Sequence, residues 1–76
     1  VTISFDLPHE QKVSLAVYDL AGRRVSVLRD GRQAAGRHRV AWLGRDGRGR
    51  QVASGVYFLR LETEARVFVR KVAMLK

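Results

Sequence analysis

Polar and apolar residues alternate along most of this chain. Val1, Ile3 and Phe5 take one parity and Thr2, Ser4 and Asp6 the other, as in a strand with one buried face. Pro8, within Leu7-Pro8-His9-Glu10, ends it, because proline has no donor for a ladder and constrains the residue before it. Val13, Leu15 and Val17 against Lys12, Ser14 and Ala16 predict a second strand closing near Tyr18. Asp19-Leu20-Ala21-Gly22 then has aspartate and glycine at the first and fourth places of a β-turn. From Arg23 to Leu28 the pattern predicts a third strand. Val25 and Val27 share a parity that Leu28 breaks, which signals a bulge or an early end. Asp30 to Gly36 reads as a polar connection.

Alternation resumes with His38, Val40 and Trp42 opposite Arg37, Arg39 and Ala41. A polar loop punctuated by Gly44, Gly47 and Gly49 follows. Gly55 opens Val56 to Leu61, where Tyr57, Leu59 and Leu61 share one face and Val56, Phe58 and Arg60 the other. Thr63-Glu64-Ala65 suits a hairpin connection, and Arg66 to Lys76 is apolar on both parities, so period assigns it no inward face. No segment carries a helical period and no internal repeat stands out. Short strands with turn signals every eight to twelve residues predict an all-β, immunoglobulin-like antiparallel sandwich of six to seven strands. An open-ended barrel is the alternative. The predicted core is built on Trp42, Val40, Tyr57 and Leu61, with Gly22, Gly44, Gly49 and Gly55 shaping the turns.

Composition narrows the class. Seventy-six residues predict one domain, 1–76, and its apolar content of 46% suits a packed fold rather than a disordered chain. There is no cysteine, which removes disulfides and thiolate metal sites and leaves the compartment open. No apolar run reaches the length of a membrane-spanning helix. The net charge of +8 raises a polyanion as partner. Its arginines, however, are spread from Arg23 to Arg70 and alternate with apolar residues, as the solvated faces of strands do. The expectation is no specific nucleic-acid site.

Candidate chemistry is sparse. His9 and His38 lie in different segments without the three or four converging ligands a metal needs. Asp46 brings one carboxylate among three arginines, too few oxygens for calcium, and turn chemistry accounts for it better. The serines at 4, 14, 26 and 54 form no nucleophile motif, and the glycines at 44, 47 and 49 precede no helix that would hold a phosphate. Trp42, Tyr57 and Phe58 could make a stacking platform for single strands, but Trp42 and Tyr57 fall on the core parity. The reading is no enzyme, no cofactor and no metal.

The order of motifs is nevertheless distinctive: Val-Tyr-Asp-x-x-Gly-Arg at 17–23, Gly-x-His-x-Val-x-Trp-x-Gly-Arg-Asp at 36–46, Gly49, Val52 and Gly55-Val56-Tyr57-Phe58, then a basic aliphatic end from Arg70 to Lys76. It resembles the C-terminal sorting domain of type IX secretion cargo and is similar to the immunoglobulin-like domain of the flagellar hook-capping protein. Leu43 departs from the aspartate those domains carry after tryptophan, and no Asn-Pro-rich approach precedes the first strand. The basic aliphatic end fits the sorting domains better.

The sorting resemblance implies a C-terminal module of a longer exported protein, directing its cargo through the periplasm and outer membrane to the cell surface. Arg70, Lys71, Val72, Met74, Leu75 and Lys76 would then be the residues read by the secretion machinery. The rival expectation is a structural or adhesive subunit of an extracellular assembly, joined to neighbours or to copies of itself through strand edges.

Overall fold

The computed structural model of the chain describes residues 1–75. Six strands appear in chain order: β1 Thr2–Leu7, β2 Gln11–Tyr18, β3 Arg24–Gln33, β4 Gly36–Ala41, β5 Gly55–Glu62 and β6 Val67–Met74. They form two antiparallel sheets, with no helix among the described residues: one of two strands (β1-β4) and one of four (β3-β2-β5-β6). The fold is the expected all-β immunoglobulin-like sandwich.

Between the sheets lies one apolar cluster. Ile3 and Leu7 come from β1 and Val40 from β4, while Val13, Leu15, Val17, Leu59, Leu61 and Val72 come from the larger sheet. Val13, Leu15, Val17 and Trp42 are the bulkiest fully buried side chains. Alternation places the three β2 side chains there: Val13, Leu15 and Val17 share the inward parity, and β2 is interior to its sheet. A chain this short buries a limited share of its surface, so each of these side chains carries a large part of the stability.

One segment differs from the sequence reading. β3 does not stop at Leu28 but runs through Asp30 and Gly31 to Gln33, pairing Gln11 with Gln33 and Val13 with Gly31. As an edge strand it needs only backbone partners on one side, so its polar residues carry no alternating signal. Gly31, at φ 128°, takes a backbone angle that a side chain would resist. The parity break at Leu28 is a bulge: the register against β2 shifts between Leu15 and Ala16, and again between Val17 and Tyr18. The extra residues, Leu28 and Val25, both pack against the core.

For β6 the structure supplies what period could not. Val72 lies inward opposite Tyr57 and Met74 reaches the core margin, which puts Phe68 and Arg70 on the same face. Val67, Val69, Lys71 and Ala73 face out.

Candidate interaction surface

Trp42 ties the long loop 43–54 to the sandwich. Its ring meets Tyr57 edge-on, with centroids 5.2 Å apart at 66°, and its indole Nε1–H donates to the Arg45 carbonyl at 2.9 Å. The Tyr57 hydroxyl donates to the Ala53 carbonyl at 2.7 Å, so the two aromatics grip both ends of the loop. Gly44 is buried beneath it at φ 75°, and a Cβ there would stand 3.0 Å from the Met74 sulfur. Leu43 is exposed. On the small sheet, Phe5 stacks on His38 at 5.2 Å and 16°, while His38 Nε2 lies 2.7 Å from the Ala34 oxygen.

Two loops share one sequence and one geometry. Asp19-Leu20-Ala21-Gly22-Arg23 and Asp46-Gly47-Arg48-Gly49-Arg50 both read Asp-x-x-Gly-Arg. In each, the aspartate amide donates to the arginine carbonyl and the glycine amide to the aspartate carbonyl, at 2.9–3.0 Å. In each, the aspartate Oδ1 accepts the amides of the second and fourth residues after it, at 2.9–3.0 Å. The glycines have nearly equal positive φ, 83° and 80°. These amides, Arg23 first for Asp19 and Arg50 first for Asp46, hold both carboxyls below the ordinary aspartate range. The two aspartates therefore build loops, and among the described residues no cluster of three or more histidine and acidic side chains could hold a metal. The repeat was missed because its copies join different kinds of strand pair; the five-residue match itself was the available signal.

A third polar fixture closes one end of the sandwich. Gln11 is buried; its Nε2 donates to the His9 carbonyl and its Oε1 accepts the Glu64 amide, joining the β1–β2 loop to the β5–β6 turn. Charge elsewhere is dispersed. Arg23, Arg32, Arg37 and Arg60 sit beside Asp19, Glu10, Asp6 and Glu62, at 2.9–3.3 Å, all at the solvent boundary. Pairs this exposed contribute little to stability but break up the positive field. On the outer face of the large sheet Tyr18 lies opposite Phe58, and Phe58 opposite Lys71.

The surface left for partners lies at the strand edges. Val1 and Trp42 exchange both backbone hydrogen bonds, at 2.8 and 3.1 Å, and the β1–β4 register continues without a shift. The amides and carbonyls of Thr2, Ser4 and Asp6 therefore point away from β4, at a free edge. The Thr63 amide donates to the Arg66 carbonyl at 2.8 Å, which by the same alternation turns the backbone of Val67, Val69, Lys71 and Ala73 outward from β6. Between these two edges runs an apolar groove of about 430 Å³, floored by Leu15, Leu59 and Leu61 and walled by Ile3, Phe5 and Phe68, with Arg70 at its rim.

Among the residues that the sorting resemblance singled out, the structure assigns different surroundings. Arg70 faces the groove, Lys71 the outer sheet face, and Leu75 is exposed, whereas Val72 is buried and Met74 packs on Gly44. Lys76 lies outside the described residues. Trp42, Val40, Tyr57 and Leu61 lie in the core, and Gly22, Gly44, Gly49 and Gly55 all have positive φ. Sequence reasoning did not find Phe68 or the groove, because the groove exists only where β1 and β6, some sixty residues apart, come together.

This architecture is that of a small immunoglobulin-like β-sandwich module. Residues 1–66 match the model of the FlgD Ig-like domain, and the chain belongs to that family. Among solved structures it is similar to FlgD from P. aeruginosa, at 28% identity and a TM-score of 0.69, over 92% of this chain and 56% of that one. The chain thus spans a little over half the length of that protein. No curated protein sequence matches it. The sorting-domain resemblance has no counterpart in these comparisons; the hook-capping resemblance does.

Proposed function

We propose that this chain is a non-enzymatic structural module of an exported assembly of the flagellar hook-capping kind, acting by holding protein neighbours at its strand edges. The observation that carries the reading is membership of the FlgD Ig-like family over residues 1–66, supported by the structural likeness to FlgD over nearly the whole chain. The free β1 and β6 edges give it surfaces to use. Its place of action is outside the cytoplasm. The test is an in-frame deletion of these residues from the parent gene, with hooks scored by electron microscopy. Hooks that fail to complete are expected while the remaining protein is still made. Complete hooks and normal motility would overturn the assignment.

A sorting role is the second reading, and it rests on the resemblance of the basic, aliphatic end from Arg70 to Lys76. Residues 67–76 lie beyond the family match, and β6 exposes Val67 and Val69 along an unpaired edge. Truncating the end is a poor test, since Val72 and Met74 belong to the packed strand. A periplasmic reporter fused to the intact domain, or to one carrying Val69→Lys, is better. In a type IX-competent cell, surface display of the first and not the second supports sorting; a reporter retained in both cases refutes it.

A further inference from the structure

The two sheets are unequal, and the inequality leaves a slot. Four strands lie on one side of the core and two on the other. Loop 43–54 covers the far half of β6, where Met74 meets Gly44. The near half has no strand above it. There Phe68 is 49% exposed and Arg70 is free of any ion pair among the described residues, while Leu59 and Leu61 form the apolar floor beside them. The slot is bounded on its other side by the unpaired edge of β1, whose Ser4 and Asp6 also line the groove.

We propose that this groove receives an extended strand of a partner protein, which pairs with the free edge of β1 and makes the small sheet three-stranded. Backbone groups of Thr2, Ser4 and Asp6 supply the ladder, apolar side chains at alternate positions of the guest settle between Phe5 and Phe68, and a carboxylate meets Arg70. Charge decides the kind of guest. A second copy would bring a further +8, and β6, the exposed apolar edge strand it could offer, contains Arg70 and Lys71 but no carboxylate. An acidic, apolar-alternating strand meets the opposite condition: attraction to the whole domain and a specific partner at the rim. This inference rests on the reading of the chain as a protein-binding module, and its test does not depend on hook assembly.

The probe is a capped nine-residue peptide alternating valine and threonine with aspartate at its centre, titrated into the 76-residue chain and followed by amide NMR. Shifts and slowed hydrogen exchange are expected at Thr2, Ser4 and Asp6. Ser4→Pro removes one outward donor at an edge where proline is tolerated, and should weaken binding about tenfold. The same peptide methylated at alternate amides should lose binding to the unaltered protein, which keeps the test sound if Ser4→Pro fails to fold. Arg70→Gln should weaken the aspartate peptide about threefold and leave its asparagine counterpart unchanged. Shifts confined to β6 or β3, or affinity indifferent to amide methylation, would overturn the slot. A concentration-dependent dimer protecting the same β1 amides without peptide would overturn the choice of guest.

Discussion

Replacing Trp42 should expose how much of this domain hangs on one side chain. The indole is almost fully buried, packs edge-on against Tyr57, and donates to the Arg45 carbonyl. Truncation of a buried tryptophan to alanine costs about 3–5 kcal/mol through lost transfer energy and the cavity left behind. Domains have about 0.05–0.15 kcal/mol of stability per residue, so the whole of this one is held by about 4–11 kcal/mol. Trp42→Ala should therefore leave much of the population unfolded. Trp42→Phe is the measurable step: it removes a hydrogen bond worth about 1 kcal/mol and part of the ring's burial, about 2 kcal/mol together. With a urea slope of about 1 kcal/mol per molar, the midpoint should fall by about 2 M. Far-UV circular dichroism is the readout, since the substitution removes the single tryptophan. A midpoint within about 0.3 M of the unaltered domain, at unchanged slope, would show that the ring is not the keystone argued here.

The twin aspartate loops make stability depend on acid. Because both carboxyls are held below the ordinary 3.8, their contribution is complete above that value and fades as pH falls through the lowered folded values. Urea midpoints should drop below pH 4, and less steeply in the double variant Asp19→Asn, Asp46→Asn; equal slopes would refute the assignment. Gly44→Ala forces a side chain into φ 75° and against Met74, and should cost about 1–3 kcal/mol in the same melt, whereas loss of under half that would mean the loop gives way freely. Binding to single-stranded DNA should be weak, indifferent to sequence and lost as salt rises, and sub-micromolar selective binding at physiological salt would contradict the dispersed arginines.

What could be read in the sequence was whatever depends on a face. Parity placed Ile3, Leu15, Val40, Tyr57 and Leu61 on the inner sides of their strands because each strand has one wet and one dry side. The far end of β3 escaped notice for the converse reason: Arg29 to Gln33 belong to an edge strand held by backbone bonds to β2, and backbone bonds leave no trace in side-chain pattern. β6 was unreadable because Phe68, on the inward parity, is left half in water while Val67 and Val69, on the outward parity, are apolar. The Asp-x-x-Gly-Arg repeat is legible as a five-residue match but carries no periodic signal, since one copy sits in a short β2–β3 turn and the other in the long loop before β5.

The same strand explains why stability and binding can be separated in this domain. The far half of β6 is structural: Val72 opposes Tyr57, and Met74 fills the space that Gly44 leaves. The near half, Val67 to Arg70, lies against Leu61 and Leu59 through the ladder but has nothing above it. A substitution at Val72 therefore acts through the Trp42–Tyr57 cluster and must lower the melting midpoint. One at Phe68 or Arg70 removes contacts that only an incoming strand would complete, so it should spare the midpoint and change binding. An edge that is apolar and unpaired is a hazard for any free domain. Here Arg66, Arg70 and Lys71 place like charges on it, which opposes pairing of that edge with another copy.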